Sequence, residues 1–253
     1  METTVVLEAK GVSKTFLGFK AVDDVSLSVH QGTVHALIGP NGAGKTTMFN
    51  LMTRFIDPTA GDILLFGERI TRVKPSTIAR RGLVRSFQIS AVYPHLSVLE
   101  NVRLAIQRRH GSSMDFWRSQ KALARLDAEA GEMLDSVGLA DLTHQLAGSL
   151  PYGRRRILEI AATLALKPRV ILLDEPMAGV GVEDIERISR LVRALVPAHT
   201  VLMVEHNLSV VSTISDHVTV LARGSVLAHG TYAEVAADPR VIEAYIGSPE
   251  EAA

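Results

Sequence analysis

The nine residues Gly39-Pro40-Asn41-Gly42-Ala43-Gly44-Lys45-Thr46-Thr47 constrain this chain more than any other stretch. They fit G-x-x-x-x-G-K-[ST], the phosphate-binding loop that joins a buried strand to a helix. The flanks agree: Val34 to Ile38 reads as a short buried strand, and Met48 to Met52 continues as a helix. Glycines let the backbone wrap closely around phosphate oxygens where a Cβ would clash. Successive N–H groups and the helix N-terminus then face the anion. Lys45 is placed to reach the β- and γ-phosphates of a bound nucleotide, and the Thr46 hydroxyl to sit on Mg²⁺.

Other strands complete an α/β reading. Val170-Ile171-Leu172-Leu173 ends in Asp174-Glu175. Four aliphatics suit a strand buried on both faces. Charge is costly inside such a strand, so the two carboxylates belong at its C-terminal end, where ligands of α/β sheets bind. Asp174 fits a Mg²⁺-holding position and Glu175 the orientation or deprotonation of a water. Thr200 to Val204 repeats the pattern and ends in Glu205-His206, where the His206 donor nitrogen can read a γ-phosphate. Leu83 to Gln88 is a further strand of the main sheet, with the Gln88 amide at its ligand end. Phe16 stands earlier, at a strand edge. It could stack on a base, although composition favours a core phenylalanine.

Between these strands the texture varies. Val5 to Val34 alternates apolar and polar residues, giving strands joined by turns at Leu17-Gly18 and Gln31-Gly32. Asp57 to Gly61 is a turn, Asp62 to Phe66 a strand and Ser76 to Arg81 a short helix. From residue 90 to 166 the pattern is helical. Ser97-Val98-Leu99-Glu100 is a capping box, Gly111-Ser112-Ser113 a break, and Leu123, Leu126, Ala130, Met133 and Val137 one face of an amphipathic helix. The apolar stretch Ile89 to Leu96 is either a docking patch or internal packing. Leu150-Pro151-Tyr152-Gly153-Arg154-Arg155-Arg156 leads into a helix over Ile157 to Leu166. That start is either an anion site or a solvated basic helix end. Glu183 to Leu195 is a helix, a hairpin turns at Arg223-Gly224, and Thr231 to Glu234 is a second capping box. A last helix follows Asp238-Pro239, with Val241, Ile242, Tyr245 and Ile246 on one face.

Bulk properties narrow the class. The chain has 253 residues, 47% of them hydrophobic, which supports a large core. Lys+Arg and Asp+Glu are both 27, so no global charge draws it to nucleic acid or anionic lipid. Cysteine is absent, which removes disulfides and thiol chemistry and fits a reducing compartment. The start lacks the pattern of a secretory signal. No apolar run reaches the roughly 18 to 20 residues of a membrane span. A soluble protein that meets membranes only through a partner is the expectation.

In this order, from the Phe16 aromatic to the strand-end His206, the motifs resemble the nucleotide-binding subunit of an ABC transporter over about Leu7 to Ile246. The resemblance implies a P-loop NTPase (RecA-like) core with an antiparallel β subdomain (residues 5–89 and 167–247) and an inserted α-helical subdomain (residues 90–166). It makes Phe16 the adenine-stacking residue, Gln88 the Q-loop, Leu150 to Arg154 the signature, Asp174 the Walker-B acid, Glu175 the catalytic base and His206 the switch histidine. Gln88 joins Thr46 and Asp174 at Mg²⁺. ATP is then clamped between one P-loop and the Gly153 region of a second ATPase subunit, a copy or a paralogue. Two transmembrane permease subunits and, indirectly, a substrate-binding protein are the further partners, on the cytoplasmic face of the membrane. Lys20 to Ser26, Leu158 to Ala161 and Asp238 to Gly247 are most similar to the branched-chain amino acid importer group. Urea or amide importers and a lipopolysaccharide exporter are its relatives.

Two departures stand out. The usual Leu-Ser-Gly-Gly-Gln signature reads Leu150-Pro151-Tyr152-Gly153-Arg154, and Pro151 has neither hydroxyl nor N–H to offer. Val180-Gly181-Val182 replaces a segment that commonly carries Asp or Asn. Other classes fit less well. Soluble ABC ATPases of DNA or ribosomes usually carry two cassettes or a long coiled coil, and the guanine-reading Asn-Lys-x-Asp of GTPases is missing.

Overall fold

The computed structural model describes residues 4–86, 92–110 and 120–246. Phe87 to Ala91 and the Gly111-Ser112-Ser113 break lie outside them, as do the side chains of Leu123 and Ile246. The chain opens with a long hairpin, β1 (Val5–Phe16) and β2 (Phe19–His30), that turns at Leu17-Gly18 as expected. Strand β3 (Val34–Ile38) follows, then the glycine loop and helix α1 (Lys45–Met52). Strands β4 (Ala60–Leu65) and β5 (Glu68–Arg69), helix α2 (Pro75–Arg80) and strand β6 (Leu83–Ser86) complete the first part. Phe66 was expected inside the fourth strand. It sits instead in a turn with Gly67, both at positive φ (52° and 79°). Two exposed residues carry no alternation, so β5 left no mark in the sequence.

Helices α3 (Val98–Arg109), α4 (Gln120–Ser136) and α5 (Tyr152–Leu164) come next, and the described residues between 98 and 164 add no strand to either sheet. The α3 capping box is real: Ser97 N donates to Glu100 Oε2 (2.8 Å) and Glu100 N to Ser97 Oγ (3.2 Å). On α4, Leu126 and Ala130 are buried as their spacing predicts and Met133 is partly buried, while Val137, also buried, lies just past the helix end. Helix α5 starts at Tyr152 rather than Ile157. Pro151 is its N-cap and the three arginines are already helical. A proline there supplies a fixed φ and lacks only a hydrogen bond the helix start cannot make. The rest is β7 (Val170–Asp174), α6 (Val182–Ala194), β8 (Thr200–Val204), α7 (Leu208–Ile214), β9 (His217–Ala222), β10 (Ser225–Gly230), α8 (Tyr232–Ala236) and α9 (Pro239–Ile246). The predicted face of α9 divides: Val241 is buried, whereas Ile242 and Tyr245 are among the exposed large hydrophobics.

Two sheets result. One is antiparallel with strand order β2-β1-β4-β5. The other has order β10-β9-β3-β8-β7-β6 and is parallel except for the β9–β10 hairpin. The aliphatic strands of the second sheet are buried on both faces because they serve two cores. Val34, Ala36, Ile171, Leu173, Val201 and Met203 pack with the helices of residues 98–214. Their alternates Leu37, Val170, Leu172, Leu202 and Val204 pack with α1 and the antiparallel sheet. Burial of that kind contributes roughly 1.5–3 kcal/mol per large aliphatic side chain. It holds the loop-bearing ends of the strands in fixed relation.

Candidate nucleotide site

Register brings the motifs together. Leu37 pairs with Val204 and Val204 with Asp174. The segments leaving β3, β8 and β7 therefore start level, on strands about 4.8 Å apart. The loop after β3 is built on glycine for space as well as conformation. At Gly39 (φ 148°) an added Cβ would lie 2.1 Å from Leu221 O, and at Gly44 (φ 99°) 2.5 Å from Ala21 O. Asn41 and Gly42 are exposed at its tip, flanked by half-buried Pro40 and buried Ala43. Gly44 is the N-cap of helix α1 and brings no side-chain cap, so the amides of Lys45, Thr46 and Thr47 keep their donors for a ligand. Lys45 Nζ donates to Gly39 O (2.7 Å) and Pro40 O (2.8 Å). Burial lowers its ammonium from the ordinary value, and the nearby Glu175 carboxylate opposes that shift.

Asp174 is 1% exposed. Its Oδ2 is ion-paired with Arg85, while its Oδ1 has no hydrogen-bond partner among the described residues. A buried carboxylate oxygen left open at a strand end fits a hydrated cation, and Thr46 is exposed at the start of α1. Mg²⁺ bound to a nucleotide needs only one or two protein ligands beside phosphate and water. Glu175 leaves β7 in a left-handed conformation (φ 46°), uncommon for a residue with a Cβ. Its Oε1 accepts from His206 Nε2 at 2.8 Å. Lys45, the Asp174-Glu175 pair and His206, far apart in sequence, thus share one edge of the sheet. Gln88 lies outside the described residues.

Phe16 is 44% exposed with the Lys14 ammonium 5.0 Å from its ring centre. That removes the core reading and leaves an aromatic face open to contact. Gly153, at the start of α5, is buried, and a Cβ on it would meet Asp184 Oδ2 at 2.0 Å. The arginines beside it bond carbonyls of the same chain. Arg154 donates to Gly138 O, Arg155 to Gly148 O, and buried Arg156 to Asp174 O (2.6 Å) and Glu175 O (3.1 Å). Gly181 caps α6 without a side chain, and Glu183 and Asp184 in the first turn complement the helix dipole instead.

Sequence reasoning missed the roles of Arg156 and Glu205 here. Arg156 ties the α5 start to the backbone of the acidic pair. Glu205, buried, accepts from Met177 N (2.9 Å), His206 N (3.0 Å) and Asn207 N (3.3 Å), so it fixes the segment that carries His206. The only available signal was a carboxylate beside a strand-end histidine.

Comparison with known proteins gives the family. The family profile described as ABC transporter matches residues 22–178. The chain belongs to the ABC transporter family. A second profile, branched-chain amino acid ATP-binding cassette transporter, matches residues 225–251 of this cassette. The cassette is 40% identical over 250 residues to the high-affinity branched-chain amino acid transport ATP-binding protein BraF of Pseudomonas aeruginosa, covering 96% of this chain and 98% of the relative. It is 36% identical over 253 residues to the corresponding LivG protein of Escherichia coli, with 96% and 98% covered. Among solved structures, the ADP conformation of MJ1267, an ATP-binding cassette of an ABC transporter, superposes with a TM-score of 0.85 at 32% identity, covering 97% of this chain and 100% of that one. The dimeric post-hydrolysis cassette MJ0796, bound to ADP and Pi, gives 0.76 at 25% identity, covering 89% and 98%. No helix among the described residues is long and apolar enough to cross a membrane.

Proposed function

We infer that this cassette is the ATP-binding and hydrolysing subunit of an ABC importer for branched-chain or related amino acids. The observation that carries the reading is the shared edge of Lys45, Asp174, Glu175 and His206, in a chain alike end to end to cassettes of that transport group. Residues Gly39 to Thr47 cradle the phosphates of ATP with backbone amides, and Lys45 swings from the loop carbonyls onto them. Thr46, Asp174 and Gln88 hold Mg²⁺, which when bound neutralises the phosphate charge. Phe16 stacks on the adenine. Glu175 orients the attacking water and accepts its proton. His206, bonded to that carboxylate, steadies it and contacts the γ-phosphate. Gly153 and the uncapped start of α5 serve the ATP of a second cassette, copy or paralogue. That pair works beneath two permease subunits on the cytoplasmic face, fed by a substrate-binding protein.

The test pairs biochemistry with uptake. Purified protein with MgATP releases phosphate with no acceptor present, and Lys45→Ala abolishes this. Cells lacking the gene lose uptake of labelled leucine, isoleucine or valine, and regain it with the parent but not with Lys45→Ala. ATP turnover surviving in Lys45→Ala defeats the site assignment. Uptake unaffected by the deletion defeats the cargo assignment.

A further inference from the structure

Arg85 has no place in the reading above, yet it reaches both halves of the nucleotide site. It lies on β6, its side chain only 8% exposed. One arm, Nη2, ion-pairs with Asp174 Oδ2 at the end of β7. The other, Nη1, donates to Asn50 Oδ1 (2.5 Å) on α1, the helix that begins with Lys45 and Thr46. The guanidinium lies 5.7 Å from the Phe49 ring centre and 5.9 Å from that of Phe55. Cation–π contact with two rings limits the freedom of the fork. Asp174 therefore has one oxygen held and the other, Oδ1, open among the described residues.

We propose that Arg85 is a positioning residue for the metal site, its fork setting the Asp174 carboxylate against the start of α1 so that Oδ1 is presented to Mg²⁺ together with Thr46. The charge alone does not suffice for this. A lysine ammonium is a point charge with no fixed fork. It can satisfy Asp174 or Asn50, but it does not fix the angle between them. A carboxylate 1% exposed also depends on a cation to offset its desolvation. Arg85 supplies that charge without occupying both oxygens. Outer groups that orient a metal ligand typically contribute 10–100-fold to metal affinity.

The proposal rests on the ATPase reading, and the experiment separates the two. ADP affinity is measured by calorimetry in EDTA and across a Mg²⁺ titration, for the parent, Arg85→Lys and Asn50→Ala, with melting temperatures alongside. Arg85→Lys keeps the charge and loses the fork. It should need at least about tenfold more Mg²⁺ to reach the parental gain in affinity, with metal-free ADP binding within about twofold of the parent. Asn50→Ala frees one arm and should show the same change to a lesser degree. It also carries the test if Arg85→Lys does not fold. A purely structural role would lower the melting temperature and leave the Mg²⁺ response unchanged. That outcome overturns the proposal, as does an equal loss of metal-free and Mg²⁺-dependent binding. A parent that binds no ADP under any condition overturns the ATPase reading instead.

Discussion

Glu175 stands between two nitrogens: His206 donates to it at 2.8 Å, and Lys45 feels its charge from the loop. Its left-handed backbone is held by Arg156 on its carbonyl and by its own amide, which donates to Val204 O (3.0 Å). A substitution that preserves shape and removes charge therefore tests chemistry rather than folding. In Glu175→Gln the amide still reaches His206, but it can no longer take a proton from water. Phosphate release should fall by about 100-fold or more, with nucleotide affinity retained. Because hydrolysis would drive the release of paired cassettes, the variant should also accumulate as an ATP-bound dimer. Single-turnover phosphate release and light scattering with MgATP would check both. Parental turnover in Glu175→Gln would remove the base assignment.

Among the elements, α5 is set by one close approach. Gly153 is helical, and a Cβ on it would lie 2.0 Å from Asp184 Oδ2 and 2.6 Å from Asp184 Cβ on α6. Gly131 on α4 is helical too, with nothing within 4 Å of the same position. The same substitution should then act in opposite directions. Gly153→Ala forces α5 and α6 apart and should lower stability by about 1–3 kcal/mol. Gly131→Ala removes a poor helix former from an open site and should raise it by about 0.5–1 kcal/mol. Denaturant unfolding of both reads the difference, and a shift of the same sign in the two variants would refute the packing argument. This contrast also marks what sequence could reveal. The glycine loop, the aliphatic strands and both capping boxes were legible because each is local: spacing and residue type decide them. Arg85, Arg156 and Glu205 were not, because their partners are chosen by strand order and register. The helical arginines looked like a basic patch until the fold supplied carbonyls for them. Phe16 was misjudged by composition alone, since exposure of an aromatic depends on what covers it.

At the scale of the molecule, the seam between the two sheets collects four of the nine histidines. The rings of His30, His35, His217 and His229 lie 5.4 to 6.1 Å apart, in pairs. Sequence spacing hides this, because β2, β3, β9 and β10 meet only in the fold. Thr219 Oγ1 sits between His35 Nε2 (2.8 Å) and His229 Nδ1 (2.9 Å). Burial, then the charges of His229, His217 and His30, push His35 down to about 3. His229 is lowered as well, by burial first and then by His217 and His30, with Glu234 opposing. The sign follows from where the proton binds. Below pH 6.5 the unfolded chain protonates His35 while the folded protein cannot until about pH 3. Stability from this residue is therefore full above pH 6.5 and is lost as pH falls toward 3. Each tenfold rise in proton concentration across that window removes about 1.4 kcal/mol, so on the order of 2 kcal/mol is gone by pH 5. His35→Leu fills the same buried position with a group that does not titrate. Unfolding free energies at pH 7 and pH 5 should diverge for the parent by about 2 kcal/mol more than for this variant. Parallel pH dependence in the two would show that protonation of the histidine seam does not limit the fold's resistance to acid.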